Sequence, residues 1–76
     1  MSTIKLNYLP NGTRIMNAVR KCTGDVFLTI ADNTIFDLKK DAGIGKMISA
    51  MNSQSVNFSL SYSEPKDTST LFGALV

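Results

Sequence analysis

The chain contains no histidine and only one cysteine, Cys22, among its 76 residues. Without imidazole it lacks the side chain that proteins most often use for acid–base chemistry and metal binding near neutral pH. One cysteine cannot close an internal disulfide, and without histidine partners it argues against a zinc site. No catalytic set emerges from the other residues. We therefore expect no enzyme activity, no metal and no cofactor, and the lack of disulfides favours a reducing, cytoplasmic location.

The chain also lacks a marked excess of charge. Eight basic and six acidic residues leave a net charge of +2, which is too small to indicate a nucleic-acid or membrane partner. It has neither a basic-then-apolar leader nor an apolar run of about 18 residues, so we expect no signal peptide and no membrane span. Apolar residues make up 43% of the chain and charged residues 18%, which indicates one globular domain over residues 1–76.

The clearest element is an amphipathic helix in the second half of the chain. Its apolar residues recur at the spacing that places side chains on one face of a helix, at Ile44, Met47, Ile48 and Met51. Asp41 stands where its carboxylate would cap the first turn and meet the positive end of the helix dipole.

An earlier helix is predicted by the same spacing at Ile15, Ala18, Val19 and Cys22. Asn11 or Thr13 would cap this helix, and Gly24 would end it. Because Cys22 falls on the inward stripe, we expect it to be a small buried apolar residue and not a reactive thiol.

Alternation of apolar and polar residues predicts four strands, at residues 4–8, 26–31, 34–38 and 56–62. Asp32 and Asn33 suit a tight turn between the second and third of them.

A short helix closes the chain, with Ser63 as its predicted cap and Pro65 in its first turn. Its inward edge would consist of Leu71, Phe72 and Leu75. The predicted order is β-α-β-β-α-β-α. A strand–helix–strand unit taken twice favours an α+β fold, an open sheet with all three helices on one face.

This order, together with two stretches of sequence, resembles the histidine-containing phosphocarrier protein (HPr) family of the bacterial sugar phosphotransferase system. FDLKKDAGIGKMISAM is similar to the family segment in which a strand ending in LKS leads into the second helix. PNGTRIMNAV resembles the family's active-site signature Gly-Leu-His-(Ala/Thr)-Arg-Pro-Ala. The resemblance spans residues 3–75 and implies an open-faced β-sandwich whose antiparallel sheet has the strand order 1-4-2-3.

The chain departs from the family at its active site. Depending on the placement of the gap, Gly12 fills the position of the phosphoryl-accepting histidine or the Leu-His pair is deleted. Ile15 replaces the proline, and Lys40 replaces the regulatory serine after LK. The resemblance therefore implies a member without phosphohistidine transfer, a protein-binding or regulatory module. Its partner would be a phosphotransferase component or a transcriptional regulator, and the chain itself a monomer or weak homodimer.

Gly12, Thr13 and Arg14 are the candidate remnant of the family's active site. A helix N-terminus offers free amide protons and a partial positive charge, which favour an anion, and the planar guanidinium of Arg14 would grip it. The alternative is that Thr13 only caps the helix and Arg14 is solvated. Threonine has no nucleophilic nitrogen and no base is evident nearby, so we expect no phosphoryl transfer here.

A docking surface is the second candidate site. The resemblance implies an exposed apolar patch near the start of the second long helix, with a charged rim. Its candidate residues are Ile44 and Met47, rimmed by Arg14 and Lys40. The alternative is that the apolar stripe only packs on the sheet, which we prefer for Ile48 and Met51.

A second hypothesis belongs to a different class of protein. The serine and asparagine face of residues 56–62 also suits a small ferredoxin-like domain that binds a ligand or pairs with itself through its open sheet. Such a domain would have the strand order 4-1-3-2, so the order of the strands separates the two hypotheses.

Overall fold

The computed structural model describes residues 1–30 and 32–75 of the chain. Its helices and strands follow the predicted order, with one 3₁₀ turn added before the last helix. They are β1 (Ser2–Asn11), α1 (Gly12–Lys21), β2 (Val26–Thr29), β3 (Ile35–Asp37), α2 (Ala42–Ser49), β4 (Asn52–Tyr62), the 3₁₀ turn (Pro65–Asp67) and α3 (Thr68–Gly73). Ala31, the last residue of the predicted second strand, lies outside the described residues.

The four strands form one antiparallel sheet in the order β1-β4-β2-β3. This is the order 1-4-2-3 that the resemblance implied, and it differs from the ferredoxin-like order 4-1-3-2. The predicted fold class is confirmed: the fold is α+β, with an open four-stranded sheet and three helices on one face. No helix in the described part of the chain is both long and apolar enough to cross a membrane.

The two longest strands, β1 and β4, each extend beyond the residues that the alternation predicted. The two strands pair from Ser2 opposite Tyr62 to Asn11 opposite Asn52, and the register shifts between Leu6 and Tyr8. At this shift two residues of β4 oppose one residue of β1, which bends the ladder. The pairing continues to the residue before α1, so β1 places the start of that helix beside the start of β4.

A single apolar core fills the space between the sheet and the helices. The strands contribute alternate residues to it, and each helix contributes one face, as the two periodicities require. Its most deeply buried side chains are Leu9, Val19, Val26, Leu28, Ile48, Leu60 and Leu71. The other face of the sheet carries polar residues such as Lys5 and Asn57 and lies open to water.

The predicted caps of the two long helices are partly confirmed. Of the two candidates for α1, Asn11 is the cap, because its side chain accepts a hydrogen bond from the amide of Arg14. The Asp41 carboxylate caps α2 by accepting from the amide of Ile44 at 3.1 Å. The prediction that Gly24 ends α1 is wrong, because the helix ends at Lys21. A Cβ at Gly24 would run into the Ser63 hydroxyl and the Glu64 side chain, so the glycine leaves room for these neighbours.

Two predictions about the last helix are wrong. The Ser63 side chain does not cap it but accepts a hydrogen bond from the amide of Asp25 at 2.8 Å. Phe72 was expected to face inward, yet it is 48% exposed. Leu71 occupies the core position, and the next residue on a helix points about 100° away from it. Pro65 does open the helical segment, as predicted.

Candidate functional site

The corner at the start of α1, where the resemblance placed a remnant active site, is closed by the end of α2. The Gly12 amide donates to the Met51 carbonyl at 2.9 Å. The Thr13 hydroxyl donates to the Ser49 carbonyl at 3.2 Å. These two donors of the helix N-terminus therefore point at carbonyl oxygens of the same chain, and an anion would have to displace those oxygens in order to bind. Anion binding at Gly12, Thr13 and Arg14 stays a prediction.

The close contact between the two helices depends on the missing side chain of Gly12. A Cβ at this position would overlap the carbonyl oxygen of Ile48 and lie 2.8 Å from that of Met51. Glycine is needed here for space and not for backbone conformation, because no glycine of the described chain has a positive φ. Pro-Asn-Gly is typical of a turn, and nothing in the local sequence shows that another helix lies against this glycine.

Arg14 extends away from this corner toward α3. Its Nη2 donates to the carbonyl of Gly73, the last residue of α3, at 2.9 Å. Together with Lys21 and Ser69 it lines a cleft of about 470 Å³ between α1 and α3. The guanidinium thus contacts the C-terminal end of a helix, which carries a partial negative charge.

A larger groove of about 830 Å³ lies between α1 and α2. Buried apolar side chains form its floor, namely Met16, Val19 and Leu38. Small residues of α2 and its C-cap line one side of the groove, namely Ala42, Gly45, Ser49 and Ala50. The groove stays open at Gly45 because that residue has no side chain, and a Cβ there would reach to 3.2 Å from the methyl group of Met16.

Four basic residues surround this groove: Arg20, Lys39, Lys40 and Lys46. Arg20 donates to the Asn17 side chain at 2.8 Å, and the Lys39 ammonium donates to the carbonyl of Cys22. The Lys40 and Lys46 ammonium groups make no hydrogen bond or ion pair with the described residues. The single acidic residue of the lining, Asp41, is already engaged as the cap of α2. The lining of the groove therefore has four basic residues and one acidic residue, although the net charge of the whole chain is only +2.

The predicted docking residues do not share one cleft. Lys40 is exposed and lines the groove, and Met47 is 44% exposed, as predicted for both. Ile44 was expected to be partly exposed, and this prediction is wrong, because only 8% of it is exposed. Ile44 and Ile48 lie four residues apart on the same face of α2, and that face packs into the core. Arg14 lines the other cleft, on the side of α3.

Asp67 is a buried carboxylate whose role the sequence did not reveal. It is 3% exposed and accepts hydrogen bonds from the Thr23 amide at 3.0 Å, from the Gly24 amide at 3.0 Å and from the Thr23 hydroxyl at 3.1 Å. The hydrogen bond from the Thr23 amide lowers the pKa of Asp67 most. The hydrogen bonds from the Gly24 amide and the Thr23 hydroxyl and the positive charge of Lys39 lower it further. This carboxylate fastens the loop after α1 to the segment before α3.

Cys22 is buried, as predicted. Burial, together with the negative charge of Asp67, raises the pKa of its thiol, although Lys39 acts in the opposite direction. A buried thiol with a raised pKa is a poor nucleophile. Within residues 1–30 and 32–75, no three histidine, cysteine or acidic residues lie close enough together to hold a metal ion.

The polar groups of this region cap helices and fasten loops, and four basic side chains line the groove between α1 and α2. No protein-family model matches the chain, and neither a curated protein nor a solved structure matches it.

Proposed function

We propose that the chain is a phosphocarrier-like protein that does not transfer phosphoryl groups through a histidine and that acts as a protein-binding or regulatory module. The observation that carries this proposal is the strand order 1-4-2-3 beneath three helices, together with a chain that contains no histidine. PNGTRIMNAV leads into α1 and FDLKKDAGIGKMISAM contains α2, the helices that the resemblance equates with the family's active-site helix and docking helix.

The start of α1 supports the loss of transfer chemistry. The Gly12 amide and the Thr13 hydroxyl are both engaged by carbonyls at the end of α2. A phosphoryl group needs a nucleophile to accept it and free donors to hold its charge. Neither Gly12 nor Thr13 supplies a nucleophilic nitrogen.

The partner belongs to the same proposal. We expect a phosphotransferase component or a transcriptional regulator in the cytoplasm, bound by a monomer or weak homodimer of this chain. The one unpaired cysteine, which is buried, is compatible with a reducing compartment.

The test is incubation with the general phosphotransferase enzyme and phosphoenolpyruvate, followed by intact mass measurement. We expect the mass of the chain to stay unchanged, while a histidine-bearing phosphocarrier in the same reaction gains one phosphoryl group. A stable phosphoryl adduct on this chain would overturn the proposal.

A further inference from the structure

We infer that two copies of this chain associate face to face through the open side of the sheet, about a twofold axis that runs along the strands. The inference rests on the proposed function only in that it decides between a monomer and a weak homodimer and names the surface of the dimer. It does not depend on the loss of phosphoryl transfer.

The residues of the open side follow from the pairing of the strands. Leu28 and Leu60 pair across β2 and β4 and are buried against the helices, so their neighbours along each strand point to the open side. The register of the three strand pairs aligns these outward residues into two rows that run from β1 to β3. The first row consists of Thr3, Ser61, Phe27 and Asp37. The second row consists of Lys5, Ser59, Thr29 and Ile35.

The two halves of this surface differ in size and in charge. The half formed by β1 and β4 carries three small hydroxyl side chains and one base, namely Thr3, Ser59, Ser61 and Lys5. The half formed by β2 and β3 carries the larger apolar side chains and an acid, namely Phe27, Ile35 and Asp37. Ile35 is 65% exposed, and the Lys5 ammonium has no hydrogen-bond or ion-pair partner among residues 1–30 and 32–75. Each half therefore complements the other, as a surface that binds a copy of itself must.

A twofold axis parallel to the strands places unlike halves on each other. It lays β1 of one copy over β3 of the second copy, and β4 over β2, in the aligned packing that sheets adopt about 10 Å apart. Phe27 then lies over Ser61 of the second copy, and Lys5 lies over Ile35. Asp37 is two residues from Ile35, about 7 Å along the strand, so the Lys5 ammonium reaches it while the lysine stem covers the isoleucine. By symmetry the dimer contains two such lysine–aspartate pairs.

Other ways of joining two copies are less favourable. A twofold axis across the strands lays β1 over β1, which brings the two Lys5 ammonium groups together and leaves both far from Asp37. Pairing through the free edge of β1 is opposed by the register shift after Leu6 and by Pro10, which has no amide proton. The other free edge, β3, has only three residues.

The size of the molecule predicts that the dimer is weak. The chain measures 27 × 25 × 21 Å, so its largest face is about 680 Å², less than the roughly 800 Å² that each partner buries in a standard stable complex. We therefore expect a monomer at about 10 µM and a substantial fraction of dimer at about 1 mM.

The test is sedimentation velocity and the amide chemical shifts of the isotope-labelled full chain, both measured from about 10 µM to 1 mM. The sedimenting mass should rise from 8.3 kDa toward twice that value. The shifts should change with concentration at Phe27, Thr29, Ser59 and Ser61 and stay constant in α1 and α2. Changes confined to β1 would assign the association to its edge, and changes confined to the helices would assign it to their layer. Either result, or a constant mass, overturns the inference.

A pair of charge substitutions tests the lysine–aspartate contacts. Lys5→Glu should weaken the dimer at least about tenfold, because the twofold axis makes both contacts repulsive, and Asp37→Lys should do the same. An equal mixture of these two variants should associate as the unsubstituted chain does, since opposite charges then meet again at both contacts. Lys66→Glu changes the net charge by the same amount at an exposed position outside the sheet and should alter the association by less than about twofold. A mixture that stays monomeric, or equal effects of Lys5→Glu and Lys66→Glu, would refute the face-to-face dimer.

A further pair of substitutions tests the apolar contact. Ile35→Thr keeps a β-branched side chain at an exposed strand position and should weaken the dimer about fivefold, because two apolar contacts are lost. Met47→Thr removes a comparably exposed apolar side chain from α2 and should change it by less than about twofold. Equal effects of the two would place the contact elsewhere and overturn the inference. The Asp37 carboxylate also accepts from the Lys39 amide at 3.0 Å, so Lys5→Glu and Ile35→Thr carry the test if Asp37→Lys does not fold.

The two proposals fail separately. A phosphoryl adduct would end the proposed function and leave the dimer standing. A chain that stays monomeric at every concentration would end this inference and leave the absence of phosphoryl transfer untouched.

Discussion

Replacing Gly12 with alanine tests the contact between α1 and α2 most directly. The new Cβ would lie 2.7 Å from the carbonyl carbon of Ile48 and 2.8 Å from the oxygen of Met51. These are backbone atoms, so no side-chain rotation relieves the overlap and the two helices have to move apart.

The expected cost follows from the contacts that would be lost. Forcing an extra methyl group into packed structure costs about 1–3 kcal/mol. Separating the helices also breaks the hydrogen bond from the Gly12 amide to the Met51 carbonyl, worth about 1 kcal/mol net. The higher helix propensity of alanine offsets this loss of stability by up to about 1 kcal/mol. We expect the free energy of unfolding to fall by about 2–3 kcal/mol, equivalent to a Tm lower by about 10–20 °C.

Two other glycines provide matched controls. A Cβ at Gly73 meets nothing within 4 Å, and one at Gly43 meets only the Asp41 side chain at 3.4 Å. Gly73→Ala and Gly43→Ala should therefore leave stability unchanged or raise it by up to about 1 kcal/mol. Urea unfolding followed by circular dichroism measures all three variants. The close helix contact is refuted if Gly12→Ala is as stable as the two controls.

Two further predictions concern single side chains. Asp67→Asn should destabilise the chain at neutral pH, and the difference from the unsubstituted chain should shrink in acid. The pKa of Asp67 is lowered in the folded state, so its contribution is complete above the unfolded pKa of about 4 and is lost as the pH falls through the folded pKa. Urea unfolding at a series of pH values measures this, and a difference that does not change with pH would contradict it. Ile44→Ala should cost about 2–5 kcal/mol, because the side chain is buried, whereas Met47→Ala should stay within about 0.5 kcal/mol. Equal losses in these two variants would show that Ile44 is not a core residue.

Much of the fold could be predicted because its signals are local. The spacing of apolar residues indicated α1 and α2, and the alternation of residues indicated all four strands. Asp41 was identified as a cap because a capping side chain bonds an amide only three residues away. The ends of the elements were harder to predict: α1 ends at Lys21, and Gly24 lies in the loop that follows, against Ser63 and Glu64.

The candidate site could be predicted only in part. Lys40 and Met47 are exposed as expected, whereas Ile44 faces the core, because the packing of α2 decides which side of its apolar stripe is covered. The hydrogen-bond donors to Asp67, Thr23 and Gly24, lie more than forty residues away along the chain, so no local sequence pattern predicts them.

The sequence by itself determined the helical and strand periods, the absence of imidazole chemistry and the order of the elements. Only the tertiary structure decided that Gly12 would lie against the end of α2 and that Arg20, Lys39, Lys40 and Lys46 would meet around one groove. The physical reason is distance along the chain. Periodicity and capping act between residues a few positions apart, whereas close packing and shared electrostatic fields arise only when the sheet brings distant segments together.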